Sequence, residues 1–329
     1  MPALSHPLPR SVLALSTIAL ASAGFALGAG SASAALTTYC SGDASDVTIP
    51  GDLVVAEGES CVLDGVTVDG TTQVASGADL VVEDSTFHGD LEVAPDGYVD
   101  ATTSTLDGNL TSTAGYGVYL DDSSVGGAYR GEAGADAEPF LYSYDTSFAG
   151  TVDVAQGLVH LETAEIDGDV TTDGTAYTDI VDSTLAGALS VTGTPEGTAI
   201  CESEIDGAAT FRGNDQVQLG HGMDLISCSG VNYFGADVLI EDNTGAVDVT
   251  GNIIRGDLRG EGNDPAPTGS DNRVRGEAGG QFTELEPAEQ TLSARSAPAD
   301  HADELNDRRS DRRSAAEDAA ELAGPAQLG

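Results

Sequence analysis

Glycine recurs through this chain at intervals near 19 residues, with an apolar residue two positions before each glycine. The twelve glycines are Gly51, Gly70, Gly89, Gly108, Gly127, Gly150, Gly168, Gly187, Gly207, Gly235, Gly256 and Gly276. The apolar residues are Ile49, Val68, Phe87, Leu106, Val125, Phe148, Ile166, Leu185, Ile205, Tyr233, Ile254 and Val274. Because only 40% of the chain is hydrophobic, twelve matches at twelve positions are not a chance outcome. Such a period is typical of solenoids, in which each unit buries its apolar face against its neighbours.

The residues within each repeat indicate short β-strands. Apolar and polar residues alternate, as with Phe87, Leu91 and Val93, and a period of two is the strand period. We expect the glycine to allow the backbone to bend sharply at a corner between two strands. Units joined in one direction and stacked in register give parallel strands. The sequence therefore predicts an all-β fold, a single-stranded right-handed parallel β-helix of about 12 coils with a period near 19 residues.

The chain divides into three parts by composition. Residues 1–34 combine Arg10, an apolar run and Ala32-Ser33-Ala34, which predicts a signal peptide cleaved after Ala34 and hence a secreted or cell-surface protein. Residues 35–283 form the predicted β-helix domain. Residues 284–329 are rich in Ala, Glu, Asp, Arg and Ser, and this composition predicts a disordered tail with the basic stretch 308–314. No second apolar span follows the leader, so we expect no membrane insertion after processing.

The four cysteines agree with export. Cys40 and Cys61 lie in consecutive repeats, and so do Cys201 and Cys228. Stacked coils place equivalent α-carbons about 4.8 Å apart, within the range that a disulfide spans. The spacing predicts the bridges Cys40–Cys61 and Cys201–Cys228. A redox pair or a metal site is disfavoured because the chain has no Cys-x-x-Cys motif and no nearby histidine cluster.

The charge balance excludes one class of partner and raises a question about cations. The chain has 55 acidic residues against 12 arginines and no lysine, for a formal net charge of −43, which excludes nucleic-acid binding by phosphate neutralisation. Many acids flank the repeated glycines: Asp52, Asp69, Asp90, Asp107, Asp167, Asp169, Asp206 and Asp257. Bulk cations could screen these charges, or Ca²⁺ could bridge them. Screening is favoured because the nine-residue repeat of Ca²⁺-binding solenoids is absent. We expect no other cofactor.

Polysaccharide cleavage is the chemistry most often found on this fold. Most of the catalytic and substrate-binding residues that such enzymes need are missing from this sequence. Lyases acting beside a uronate need cationic residues, and only Arg130, Arg212 and Arg255 lie between Gly51 and Gly256. Gly220-His221-Gly222 resembles the Gly-His-Gly element of polygalacturonases, and Asp121-Asp122 resembles their paired aspartates.

The resemblance to polygalacturonases stops at those two elements. The family's Asn-Thr-Asp and Arg-Ile-Lys elements have no counterpart in the right places. Several coils also separate Asp121 from His221, roughly 20–25 Å, whereas inverting carboxylates lie within about 10 Å of each other. The sequence therefore predicts a protein that is not an enzyme and has no catalytic residues.

Two coils are longer than the others, and such insertions in a solenoid often line a binding surface. One carries Tyr142 and Tyr144 within a segment, 116–144, that holds five of the nine tyrosines. The other carries Arg212, Asp215 and His221. Aromatic faces beside acids and amides can hold a sugar, so these five residues are the candidate ligand site. The alternative is that the tyrosines, including Tyr129 and Tyr233, point inward as an aromatic stack.

The rung pattern over 36–282 and the closing segment 252–282 resemble secreted actinobacterial right-handed β-helix proteins of unknown function, of the pectin-lyase-like superfold. Relatives commonly carry cysteines near the positions of Gly260 and Phe282, where this chain has none. The resemblance implies a fold and no activity. We expect an exported structural or adhesive rod, with cation dependence as a hypothesis and a cell-wall or extracellular polysaccharide as partner. A carbohydrate-binding module and a degenerate polygalacturonase-type hydrolase are the alternatives.

Overall fold

The structure, a computed structural model, describes residues 36–134, 138–287 and 301–328. The predicted signal peptide over 1–34 lies outside these residues. The described chain is a parallel β-solenoid of about 13 turns with a period near 19 residues, which confirms the predicted all-β class and architecture. Each coil has three faces. On every face, each strand pairs in parallel with the equivalent strand of the next coil.

The first face carries strands of three or four residues in most coils. They are β1 (Thr37–Cys40), β4 (Asp52–Val55), β7 (Thr72–Val74), β10 (Leu91–Val93), β13 (Leu110–Thr113), β16 (Tyr129–Glu132), β23 (Leu189–Thr192), β26 (Ala209–Arg212), β29 (Val238–Glu241), β32 (Leu258–Gly260) and β35 (Ala278–Gly280). In two coils one strand runs through the first and second faces without a break. These are β19 (Val152–Glu162) and β21 (Val170–Val181).

The second and third faces complete each coil. The second face holds β2 (Gly42–Ser45), β5 (Ser60–Asp64), β8 (Asp79–Glu83), β11 (Tyr98–Thr102), β14 (Gly117–Asp121), β17 (Phe140–Tyr144), β24 (Gly197–Cys201), β27 (Val217–Gly220), β30 (Val247–Thr250) and β33 (Thr268–Ser270). The third face holds β3 (Thr48–Ile49), β6 (Thr67–Val68), β9 (Thr86–Phe87), β12 (Thr105–Leu106), β15 (Ser124–Val125), β18 (Ser147–Phe148), β20 (Glu165–Ile166), β22 (Thr184–Leu185), β25 (Glu204–Ile205), β28 (Tyr233–Phe234), β31 (Ile253–Ile254) and β34 (Arg273–Val274).

Eleven of the twelve repeated glycines, all except Gly235, lie in one stack at the corner, for a reason different from the predicted one. Their backbone angles lie outside the left-handed region, so conformational freedom is not what requires glycine. A Cβ at Gly108 would lie 2.5 Å from the carbonyl oxygen of Gly89, and one at Gly150 would lie 2.5 Å from that of Gly127. Glycine is needed because successive coils approach so closely at this corner.

One prediction about the repeat is wrong by one residue. Phe234, not Tyr233, pairs with Ile205 and points into the core. Tyr233 points outward and accepts a hydrogen bond from Nη1 of Arg255 at 3.1 Å, so it does not join an inward aromatic stack. The extra residues of the preceding long coil shift the register, and Ala236 takes the corner position. Tyr129, by contrast, is buried in the core as the aromatic-stack alternative predicts.

Both predicted disulfides are confirmed. Cys40–Cys61 and Cys201–Cys228 each join α-carbons 5.6 Å apart. The first bridge ties β1 to β5 in the first coils of the solenoid. Two disulfides are typical of proteins that fold in a non-reducing, extracellular environment. No helix within the described ranges has the length and apolar character needed to cross a membrane.

Residues 301–323 form an α-helix, α1 (His301–Ala323), within the stretch predicted as a disordered tail. This helix packs along the second face and contacts β8, β5 and β2. Ala316 and Ala320 are its buried apolar residues among those described, whereas Leu322 is 89% exposed. The sequence pattern missed the helix because it has no apolar stripe, and charged contacts hold it instead.

The chain segment after α1 covers the N-terminal end of the second face. The Ala326 N–H donates to the Asp43 carbonyl oxygen at 2.7 Å, and the Asp43 N–H donates to the Gly324 carbonyl at 3.3 Å. Pro325 thereby forms a parallel bridge with Asp43 of β2. Leu328 packs against the solenoid core. At the opposite end Phe282 is buried beside Gly260.

Candidate functional site

A strip of aromatic side chains lies on the outside of the second face. Strand alternation sends Val118 and Leu120 of β14 into the core, so that Tyr119 between them points outward. The same parity in neighbouring strands aligns outward aromatic side chains along the solenoid. We call them the aromatic strip: Tyr98, Tyr116, Tyr119, Phe140, Tyr142, Tyr144, His160 and Tyr177.

The rings of the aromatic strip contact each other, half of the pairs edge to face and half tilted. The ring centroids of Phe140 and Tyr142 are 5.6 Å apart, and those of Tyr98 and Tyr116 are 5.8 Å apart with nearly perpendicular planes. Edge-to-face pairs at this distance are a favoured aromatic geometry. The Tyr142 and Tyr177 hydroxyls share a hydrogen bond of 2.8 Å across two strands. The strip therefore forms a second apolar layer outside the sheet, separate from the solenoid core.

Two buried acids flank the strip towards the N-terminal end of the solenoid. Asp79 pairs in register with Tyr98, and Asp100 lies two residues beyond Tyr98 on the same outer surface. Asp100 is completely buried and accepts a hydrogen bond of 2.7 Å from the Tyr98 hydroxyl. A buried carboxylate requires a cationic partner or several hydrogen bonds to offset its desolvation.

Arginines of α1 supply those cationic partners. Arg309 donates to both oxygens of Asp100, from Nε at 2.8 Å and from Nη2 at 3.2 Å. Arg313 donates to Asp100 at 2.8 Å, and Nε of Arg312 donates to Asp79 at 2.7 Å. A two-pronged arginine–carboxylate contact fixes geometry as well as charge.

The same guanidinium groups also lie over the aromatic strip. The central carbon of the Arg309 guanidinium is 3.6 Å from the ring centroid of Tyr119, and that of Arg312 is 4.8 Å from the centroid of Tyr116. Arg308 lies 5.8 Å from the centroid of Tyr116. Cation–π contacts strengthen when both groups are removed from water. The basic stretch 308–314, for which a solvated linker is the simplest interpretation of the sequence, thus contains the arginines that attach the helix to the solenoid.

The repeat of the helix approximately matches the repeat of the solenoid. A helical turn rises about 5.4 Å, whereas successive strands lie about 4.8 Å apart. Arg309 reaches Asp100 on β11, and Arg312 reaches Asp79 on β8, one strand further along. Ala316 and Ala320 follow at helical spacing and are buried. One turn of α1 therefore corresponds to about one coil. The first turns place arginines against the acids of the coils, and the later turns place alanines against the sheet.

Burial shifts the acidity of several groups at this site. Burial raises the pKa of Asp79 above its usual value, although Arg312 opposes the shift. Burial, reinforced by the negative charge of Glu162, raises the pKa of Tyr144 to about 12. Burial works against the charge of Arg309, but its hydrogen bond to Asp100 and the charge of that carboxylate outweigh burial and raise the arginine pKa. The tyrosines are therefore neutral at physiological pH, and Arg309 is charged.

The structure does not bring the five predicted ligand-site residues together. Tyr142 is completely buried within the aromatic strip, and Tyr144 is partly buried beside Asn306 of α1. Strand β17, which carries both tyrosines, is separated from β27 by four strand steps through β19, β21 and β24, or about 19 Å. His221 follows β27 and is exposed.

The other two predicted residues lie at the corner between the first and second faces. Arg212, at the end of β26, forms ion pairs with Glu241 and Asp242. The backbone N–H of Asp215 donates to the Thr194 carbonyl at 2.9 Å. Neither residue has a described contact with Tyr142. Asp121 of the polygalacturonase-like pair lies on β14, five strand steps from β27 and about 24 Å away.

The acids beside the corner glycines are hydrogen-bond acceptors rather than an unbroken column of charge. Asp90 Oδ1 accepts the backbone N–H of Asn109 at 2.8 Å, and Asp52 Oδ1 accepts that of Thr71 at 2.9 Å. Neutral residues alternate with the carboxylates along much of the stack. Nδ1 of His88 lies 2.6 Å from a carboxylate oxygen of Asp107. Much of the repulsion expected between successive coils is therefore avoided.

Metal-ligating side chains converge at one place in the described ranges. Cys201, Glu202 and Cys228 lie together there, but both cysteines belong to a disulfide. Glu202 Oε1 accepts hydrogen bonds from the backbone N–H groups of Ser229 and Gly230. These residues do not fit a metal ion, because no thiolate is present. Specific Ca²⁺ binding stays the alternative to the favoured screening by bulk cations.

A shallow open groove of about 500 Å³ follows the corner between the second and third faces. Hydroxyl and carboxyl groups line it, among them those of Thr103, Asp122 and Asp145. The three residues occupy the same left-handed backbone position in successive coils. The groove thus repeats one polar motif along the solenoid.

No protein-family model, curated protein or solved structure matches the chain.

Proposed function

We propose that this protein is an exported, non-enzymatic β-helix that acts as a structural or adhesive rod outside the cell or at its surface. The observation that carries the proposal is the unbroken stack from β1 to β35, covered at both ends. The first face has thirteen strands, and the 12 gaps between them, each about 4.8 Å, give a length of about 58 Å. Such a rod can hold a ligand or a partner at a fixed distance from its attachment point.

Several features support export. The residues of 1–34 match a cleavable leader, and the two disulfides suit an oxidising compartment. The proposal places the chain with secreted actinobacterial β-helix proteins of the pectin-lyase-like superfold, on the rung pattern over 36–282 that the sequence shares with them. Its partner is a cell-wall or extracellular polysaccharide. Its response to cations is one of charge screening, since carboxylates such as Asp52 and Asp90 bond to the next coil.

The two alternatives have less support. The rings of Tyr142 and Tyr119 are covered, so they offer no sugar platform while α1 is docked. The separation of Asp121 from His221 is too large for a pair of groups that act on one glycosidic bond. We therefore favour the rod over the carbohydrate-binding module and over the hydrolase.

The proposal is tested with the secreted full-length protein. Mass spectrometry of the exported chain should give a mature N-terminus at Ala35, and small-angle scattering should give a rod-like particle. The protein should sediment with purified cell walls and release no reducing ends from polygalacturonate. Release of reducing ends would replace the rod with the hydrolase. Sugar binding lost specifically in Tyr142→Ala and Tyr144→Ala proteins would favour the carbohydrate-binding module instead.

A further inference from the structure

We infer that the surface covered by α1 also binds α1 of a second copy of this chain, so that rods join head to tail. We call this surface the acceptor surface; it comprises Asp79, Asp100, the rings of Tyr116 and Tyr119, and the edge of β2 that pairs with Pro325. The inference deepens the proposed function, on which it rests, by naming how one rod engages another.

The positions of donor and acceptor in the chain give the assembly its direction. The solenoid ends near Glu286, whose carbonyl accepts the N–H of Gly269 on β33. The acceptor surface lies over the opposite end, from β14 to β2. Residues 288–300 join the two in sequence, and thirteen residues span at most about 45 Å. Because the segment leaves one end of the solenoid and docks at the other, exchange between identical chains can continue from one rod to the next as an open series.

Charge complementarity identifies a second copy as the partner. Two chains with a net charge of −43 repel each other over most of their surface. Helix α1 concentrates four of the twelve arginines in 308–313, and Asp79 and Asp100 are placed to receive them. Every contact that α1 makes with the acceptor surface of its own chain can be made in the same way with that of a second chain. Exchange of α1 between chains therefore needs no new surface.

The docked helix is suited to exchange because polar contacts dominate its attachment. Its described apolar burial is limited to two alanines, Ala316 and Ala320. Salt weakens the ion pairs to exposed carboxylates, such as that of Arg312 with Asp96, and screens the buried pairs less. A tethered segment competes at an effective concentration in the millimolar range, so exchange is favoured where rods are crowded, as on a surface.

The segment beyond α1 extends the docking by strand addition. Gly324 and Ala326 bond to both sides of Asp43 on β2, which would otherwise present a free strand edge. Adding an extended segment to a sheet edge is a common mode of recognition between chains. A second copy's tail would satisfy the same two backbone groups of Asp43.

Two complementary variants test the inference with the full chain. The acceptor variant Asp100→Asn keeps an intact α1 but weakens its docking surface. The donor variant, with Arg309→Gln and Arg313→Gln together, keeps an intact surface but weakens the helix. Each is mixed with the other at about 0.1–1 mM, the range in which an untethered segment can replace a tethered one. Light scattering after size exclusion gives the mass, and circular dichroism shows that both variants are folded.

We expect each variant alone to be monomeric and the mixture to double in mass, because only one donor helix and one acceptor surface remain functional. In a second arm, a labelled peptide of residues 301–328 is added to the donor variant and to the acceptor variant. The peptide should bind the donor variant at least about tenfold more tightly, and its arginine-to-lysine version should bind more weakly because lysine lacks the planar fork. A mixture that stays monomeric at these concentrations, or a peptide that binds neither variant, overturns the inference.

The exchange experiment and the cell-wall binding experiment can fail independently of each other. Monomeric mixtures with intact cell-wall binding would reject exchange and keep the rod. Mass doubling without cell-wall binding would reject the adhesive role and keep exchange.

Discussion

Arg309 of α1 donates two hydrogen bonds to Asp100 of β11, although the two residues are 209 positions apart in the sequence. The carboxylate is completely buried, and the guanidinium also covers the ring of Tyr119. A buried acid, an aromatic ring and an arginine thus form one unit. This unit attaches the C-terminal helix to the solenoid.

Asp100→Asn should loosen α1 without unfolding the solenoid. The substitution leaves Arg309 and Arg313 without their shared carboxylate, and we expect docking to weaken by about 2 kcal/mol, or roughly thirtyfold. Hydrogen exchange over residues 306–323 measures the change. Asp96→Asn is the control, because Asp96 is exposed and lies 3.8 Å from Arg312. Equal loss of protection in both variants would contradict the assigned role of Asp100.

Asp79→Asn should make stability less dependent on pH. Because burial raises the pKa of Asp79 in the folded state, its contribution to stability is present below the unfolded value of 3.8 and is lost as pH rises through the raised value. At neutral pH the charged form is therefore disfavoured in the fold. We expect the variant to melt at or above the wild-type temperature at pH 7, and the two melting curves to converge as pH falls below 3.8. A variant less stable at pH 7 and unchanged in acid would contradict this assignment.

Gly108→Ala should destabilise the solenoid. Its methyl group would meet the Gly89 backbone, and neither coil can move without disturbing the strands beside it, so we expect a loss of about 2 kcal/mol or more. Urea unfolding measures it. In the control, Gly279→Ala, the methyl group would lie 3.3 Å from a flexible part of Arg259, and little change is expected. Full stability of Gly108→Ala would show that the corner is not tightly packed.

Replacing Cys40 and Cys61 with alanine should fray the first coils. The bridge closes a separation of 21 residues, and its loss removes about 3 kcal/mol in the chain-entropy description. Hydrogen exchange in β1 and β2 should increase, while exchange in β29 and β30 should not. Replacing Cys201 and Cys228 instead should move the effect to the C-terminal part of the solenoid, around β24 and β27. Uniform loosening in either variant would show that the coils unfold together.

Calcium chloride and sodium chloride should raise the melting temperature equally at matched ionic strength. The carboxylates alternate with neutral groups and bond to backbone N–H groups, as Asp90 does to Asn109, so screening is the expected mechanism. Melting curves with EDTA, CaCl₂ and NaCl provide the measurement. An additional shift with CaCl₂ that EDTA reverses would establish a specific site.

The repeat could be read from the sequence because every coil solves the same packing problem with similar residues. Glycine spacing predicted the stacking, and equivalent positions in consecutive coils predicted both disulfides. The predicted register at Tyr233 was wrong because the long coil before it shifts the core position by one residue, to Phe234. Local spacing contains no information about how many residues an insertion uses.

The docked helix and the aromatic strip could not be predicted in the same way. Residues 308–313 read as a solvated basic stretch because their partners, Asp79 and Asp100, are more than 200 positions away. The tyrosines between 116 and 144 indicated a special surface, but composition could not show that α1 covers it. Contacts between distant segments follow from three-dimensional placement, which neither periodicity nor charge counts reveal.

The small difference between the pitch of α1 and the spacing of the coils limits how long such a strap can be. Each turn overshoots its coil by about 0.6 Å, so the error grows to about half a coil spacing after four turns. The arginine contacts occupy the part of α1 nearest Asp100. The smaller alanines follow, where the difference between helical rise and strand spacing has accumulated. Beyond about four turns the contacts of a straight helix would fall midway between strands, so a solenoid of many more coils would need several short straps or none.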